Sequence, residues 1–234
     1  MVTPARAPTR WSSSHRIIRT IYPPVDLFDD IAPAADWAAL TAAEARTNPR
    51  VLDAIGDLGL VPPHRRIEGA NALLMGASLV MGAFTHASRD RPNRFSDGSY
   101  GVWYCGDRFE VALAETAHHF ARFMAATNQP AADADFRELV CAVHGDLADG
   151  TGPELLNPND WTAGQTFGRA MRQAGADGVL YPSVRYPRGQ AMALFWPDCI
   201  EPPVLQARQF RYGWDGTRMH RYLVHGARSW TVMG

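Results

Sequence analysis

The chain has 234 residues, with 23 basic and 24 acidic side chains and a formal charge of −1. Every basic side chain is arginine, because the sequence contains no lysine. That excludes a lysine Schiff base, a pyridoxal-phosphate anchor, a P-loop lysine and a kinase-type strand lysine.

A near-neutral charge argues against a general nucleic-acid binder, which would carry a basic excess. The cysteines (Cys105, Cys141 and Cys199) are three in number and form no CxxC pair. They suggest neither a structural zinc site nor a disulfide framework, and they fit a reducing cytoplasm. The first eleven residues carry arginine and proline without an apolar core, so no secretory signal is expected. The longest apolar stretch, 70–84, includes Asn71 and Ser78 and falls short of the ~20 apolar residues of a membrane span.

Residues 1–35 read as irregular, broken by Pro4, Pro8, Pro23, Pro24 and Pro33. Asp36 can cap a helix to about Arg46, and Asn48-Pro49 can open a second that ends near Gly56–Gly59. A third helix is expected over Glu68 to Ala83. Residues 1–83 are therefore predicted as an N-terminal helical extension and residues 84–234 as an α+β domain.

After a polar loop from Ser88 to Gly98, Tyr100 to Cys105 reads as a short buried strand. Asp107 with Glu110 resembles a capping box opening a helix whose apolar stripe is Phe109, Leu113, Thr116, Phe120 and Met124. Arg137 to His144 reads as a strand. Asn157 or Asn159 can cap a helix from Trp161 to Gln173, ended by Gly175. Val179 to Val184 and Ala191 to Trp196 read as strands, and Gln209 to Val224 as a hairpin turning at Asp215-Gly216. The fold class expected is α+β, with a mostly antiparallel mixed sheet and flanking helices.

Taken singly, the polar residues permit ordinary explanations. Glu115 shares a helix ridge with Arg108, Ala112, His119 and Arg122, where an acid is commonly a solvated partner. Arg94 lies in a loop. Ser183 ends a strand, where serines satisfy local backbone groups, and no GxSxG elbow surrounds it. Glu115 and His119 share a face at i, i+4, which invites a metal reading, but no HExxH or third ligand accompanies them. A non-enzymatic interaction module, with Glu115 and Arg94 as a structural ion pair, is a further alternative.

In order, however, the motifs are Arg94-Phe95, Val102-Trp103-Tyr104, Ala112-Leu113-Ala114-Glu115 and Asp177 to Arg185, followed by Ala193-Leu194-Phe195. This series resembles the RES domain, the toxin half of RES–Xre toxin–antitoxin systems, over roughly residues 84–205. Asn93 stands where that family commonly has glycine. Many members also carry an arginine on a strand before the turn. Here that stretch is Phe84-Thr85-His86, leaving His86, Arg89 or Arg91 for the position.

The resemblance implies an ADP-ribosyltransferase-type fold that consumes NAD⁺ as substrate and needs no metal. It implies that Arg94 binds phosphates or the adjoining ribose, and that Tyr104 packs on nicotinamide or ribose. Glu115 would stabilise the reacting ribose, Ser183 would hold ligand or Glu115, and His86 would contact the dinucleotide. The implied partner is an Xre-type antitoxin, which would own any DNA contact. The acceptor is left as a protein, favoured on the N-terminal surface alone, or water, or phosphate.

Overall fold

A computed structural model describes residues 5–21 and 56–233. The helices expected over 36–46 and after Asn48 lie outside the described residues. Among the described residues, eight strands form one mixed sheet: β1 (Arg6–Arg19), β2 (Trp103–Gly106), β3 (Ala132–Asp149), β4 (Gly178–Pro182), β5 (Gln190–Leu194), β6 (Ile200–Trp214), β7 (Met219–Val224) and β8 (Thr231–Val232). The described α-helices are α1 (Ala77–Thr85), α2 (Phe109–Ala126) and α3 (Thr162–Gln173). The order is β1-β2-β5-β4-β3-β6-β7-β8, and β1 also pairs with β3. Only β3 with β4 is parallel, so the sheet is mostly antiparallel, as the sequence predicts.

Over residues 6–19, a strand replaces the irregular start expected for the N-terminal helical extension. Residues 6–19 pair with β3 from Arg6↔Ala148 to Arg19↔Phe136. Ser14 and Ile17 are buried, and Ser14 Oγ donates to the Cys141 carbonyl. Polar residues and Pro8 hide this strand from a periodicity search, because much of it stays exposed and its backbone pairing is what holds it. Its neighbour β3 is also longer than the expected Arg137 to His144, since it must serve β1 on one edge and β6, then β4, on the other.

Each helix covers its own part of the core. α1 sets Val80 and Phe84 against Trp103, Leu139 and Ile200. α2 buries Phe109, Leu113, Ala117, Phe120 and Met124, at helical spacing, against Ile17, Phe136, Phe210 and Tyr212. α3 contributes Met171 to a group with Phe95, Val179 and Tyr181. None of the described helices is long and apolar enough to cross a membrane.

Local details depart from the sequence reading at two helix starts. Arg108 is the N-cap of α2 and makes no side-chain cap bond. The Asp107 carboxylate accepts from the Arg108 guanidinium instead (2.9 and 3.2 Å), so the expected capping box does not form. Before α3, Asn157 Oδ1 accepts from the Asn159 and Asp160 N–H groups, while Asp160 accepts from Thr162 N–H. Asp160 thus meets the first helical N–H, and Gly175, at φ +79°, ends the segment as predicted. The β6–β7 hairpin turns at Asp215-Gly216, with Asp215 Oδ1 accepting from the Thr217 and Arg218 N–H groups.

Candidate active site

β1 meets β2 at a single pair, His15↔Gly106. A cavity of about 370 Å³ sits at that junction. It is lined by His15, Arg16 and Ile17 of β1, by Tyr104 to Gly106 of β2, by the Pro92–Arg94 turn, and by α2 through Glu115, Thr116 and His119. Glu115 is the sole carboxylate among the lining residues, facing two arginines, Arg16 and Arg94.

Glu115 is fixed from the β4 end. Ser183 Oγ donates to Glu115 Oε1 at 2.7 Å, and the Arg185 backbone N–H reaches the same oxygen at 3.4 Å. Ser183 is buried, and its hydroxyl also accepts from Tyr186 N–H at 3.0 Å. Ser183 therefore touches Glu115 and does not itself line the cavity. One helical turn on, His118 Nε2 accepts from Arg185 Nη2 at 2.8 Å. A guanidinium only donates, so His118 is neutral. Burial, reinforced by the Arg185 charge, pushes its pKa down to about 4.

Arg94 is buried, and its Nη1 donates to the carbonyls of Leu155 (2.9 Å) and Asn157 (2.8 Å). Two bonds from one terminal nitrogen hold the fork on the cavity wall. Neither Arg94 nor Glu115 joins an ion pair among the described residues, which removes the structural pair considered for an interaction module.

The Tyr104 hydroxyl donates to Asn93 Oδ1 (2.7 Å) and accepts from Phe95 N–H (3.0 Å). Asn93 N–H in turn donates to the Ser96 carbonyl. Asn93 thus locks the Arg94 turn to the cavity tyrosine. Burial raises the Tyr104 pKa, so the phenol stays neutral.

His86 is not brought to the site. Phe84 and Thr85, expected on a strand, end α1, and His86 is its C-cap. Neither Arg89 nor Arg91 lines the cavity: Arg89 pairs with Asp97 at 3.5 Å, and Arg91 Nη2 donates to the His86 carbonyl. Sequence reasoning missed Arg16, which does line it. Arg16 Nη1 donates to the Tyr104 carbonyl (3.0 Å), and the guanidinium lies 4.5 Å from the Trp103 ring centroid. Burial lowers its pKa to about 10, leaving it cationic at neutral pH. The signal available was the run His15-Arg16-Ile17-Ile18-Arg19, in which β-branched residues sit between cations. No group of three metal-ligating side chains occurs among the described residues.

A family model described as the RES domain matches residues 64–215. The chain belongs to the RES domain family. The RES match starts ahead of the boundary expected at residue 84 and takes in α1. Uncharacterized protein y4oC of Sinorhizobium fredii (strain NBRC 101917 / NGR234) is 26% identical over 213 residues, covering 88% of this chain and 84% of that protein. Among solved structures, a chain of the M. tuberculosis MbcT–MbcA toxin–antitoxin complex matches with a TM-score of 0.37 and 15% identity, over 89% of this chain and 87% of that one.

Proposed function

We propose that this RES domain protein is the toxin of a toxin–antitoxin pair, and that it cleaves the nicotinamide–ribose bond of NAD⁺ and passes on the ADP-ribosyl group. The observation that carries the reading is Glu115, the lone cavity carboxylate, held by Ser183 and the Arg185 N–H opposite two arginines and a tyrosine. A cavity of about 370 Å³ lies within the range for small-molecule sites.

Each group suits a part of the dinucleotide. The pyrophosphate carries two negative charges, which planar guanidinium forks grip well. Arg94 has N–H groups beyond Nη1 for this, and Arg16 takes the first-strand position otherwise left to His86, Arg89 or Arg91. The nicotinamide ring is cationic, so the Tyr104 ring attracts it by about 0.5–2 kcal/mol. As the C–N bond breaks, the ribose gains oxocarbenium character. Glu115 stabilises that charge through an environment fixed before the reaction begins. Nicotinamide leaves as a neutral molecule, so no strong general acid is needed.

The N-terminal surface favours a protein acceptor, but residues 6–19 of that surface are built into the sheet. Water, phosphate and a protein side chain all stay within the proposal. An antitoxin partner would act by covering the cavity mouth.

Nicotinamide release from NAD⁺ by the purified full chain tests the reading. Glu115→Gln keeps the shape and removes the charge, and turnover should fall by about 10²–10³-fold. A folded Glu115→Gln protein that releases nicotinamide at the wild-type rate overturns it. Labelled NAD⁺ incubated with cell lysate separates the acceptors: label fixed to protein, or free ADP-ribose.

A further inference from the structure

Behind the cavity wall lies a buried charge that bond cleavage does not use. Glu138, on β3, is wholly buried (0% exposed). His15 Nδ1 lies 2.6 Å from its Oε1. Arg208, on β6, donates from Nη1 to Oε1 (3.0 Å) and Oε2 (2.8 Å), and its backbone N–H approaches Oε2 at 3.3 Å. Burial alone would raise the Glu138 pKa. The bonds from His15 and Arg208 outweigh it and hold the carboxyl below its ordinary value. The network spans three strands, from a cavity-lining imidazole to a half-exposed arginine.

An ionised carboxylate can only accept, so His15 Nδ1 carries a proton, and in the neutral imidazole Nε2 is left as the acceptor. The nearest Nε2 partner among the described residues is Ser13 Oγ at 3.5 Å, the outer limit of a hydrogen bond. A cross-strand ion pair between Glu138 and Arg208 would satisfy the sheet without any histidine. What His15 adds is a basic nitrogen, backed by a fixed negative charge, on the wall of the cavity that holds Glu115. The charged groups that join it or share its cavity are Glu138, Arg208, Arg16, Arg94 and Glu115, with the His119 imidazole beside them.

We propose that His15 is the general base that deprotonates the ADP-ribosyl acceptor, with Glu138 as its positioning residue, and that the acceptor is therefore a neutral hydroxyl group. This rests on the NAD⁺ reading above. In the step, the acceptor oxygen bonds to the ribose carbon as the carbon–nitrogen bond breaks, and that electron pair leaves with neutral nicotinamide. The hydroxyl proton passes to His15 Nε2, and the resulting imidazolium is stabilised by Glu138, which stays ionised. Phosphate is already anionic and has no need of such a base. Water and a side-chain hydroxyl share the chemistry, and the product tells them apart: soluble ADP-ribose, or label fixed to protein.

Azide provides the test, because it is a nucleophile with no proton to lose. The full-length His15→Gln protein should consume NAD⁺ about 10²-fold more slowly than wild type. Added sodium azide should restore consumption and yield ADP-ribosyl azide. Glu138→Gln keeps the shape and should show the same azide-responsive defect, and it carries the test should His15→Gln fail to fold. If wild type consumes NAD⁺ and Glu115→Gln does not, the underlying reading stands. On that background, near wild-type consumption by the His15 and Glu138 variants, or a defect that azide does not relieve, overturns the base assignment alone.

Discussion

Removing the Ser183 hydroxyl separates the positioning of Glu115 from its presence. Ser183→Ala deletes the 2.7 Å bond to Glu115 Oε1 and the partner of Tyr186 N–H. The backbone N–H of Arg185, at 3.4 Å, is then the remaining donor to that oxygen. A hydrogen bond to a charged group contributes about 1.5–3 kcal/mol. If it acts by aiming Glu115 at the developing ribose charge, kcat/KM for NAD⁺ should fall roughly 10- to 150-fold. The orphaned Tyr186 N–H should lower unfolding stability by about 1–3 kcal/mol. Steady-state nicotinamide release and urea denaturation read the two effects independently. A folded Ser183→Ala protein with wild-type kcat/KM would refute the claim that this hydroxyl holds Glu115 in its working position, whatever the change in stability.

Two further outcomes follow from groups outside the cavity lining. A Cβ on Gly168 of α3 would overlap the Phe95 carbonyl oxygen, so Gly168→Ala must push the helix from the Arg94 turn; overpacking of this kind costs about 1–3 kcal/mol. It should lower both the urea midpoint and NAD⁺ turnover, although Gly168 does not line the cavity, and unchanged values of both would contradict that packing. His118, held down to about 4 from its ordinary 6.5, binds a proton in the unfolded chain before it does so in the folded one. Its contribution to stability is therefore complete above pH 6.5 and is lost as the pH falls towards 4. Urea midpoints at pH 7 and pH 5 should differ less in His118→Gln than in wild type, and equal differences would show that His118 is not the group responsible.

Much of the C-terminal architecture was legible because it follows local rules. The α2 stripe repeats at helical spacing, Gly175 takes a left-handed φ, and Asp215-Gly216 forms a side-chain-supported turn. Helix caps were read less well. Asp107 had a competing donor in Arg108, and Asn157 had nearer N–H groups in its own turn. Local hydrogen bonds of similar strength compete there, and spacing alone does not rank them. β1 was not legible, since a polar, half-exposed strand has no apolar period to detect.

The sequence by itself determined the chemistry available: arginine as the only permanent cation, and an ordered series carrying Arg94, Tyr104, Glu115 and Ser183. Tertiary structure decided which of these meet. Glu115 and Ser183 are 68 residues apart in the chain and 2.7 Å apart in space, because α2 and the end of β4 converge at one cavity. It also replaced His86 with Arg16 at that cavity and set Glu138, 123 residues away, against His15. Pairing between distant strands is fixed by backbone hydrogen bonds, which every residue can accept and every residue but proline can donate. That information is spread over the whole sheet and absent from any one stretch of side chains.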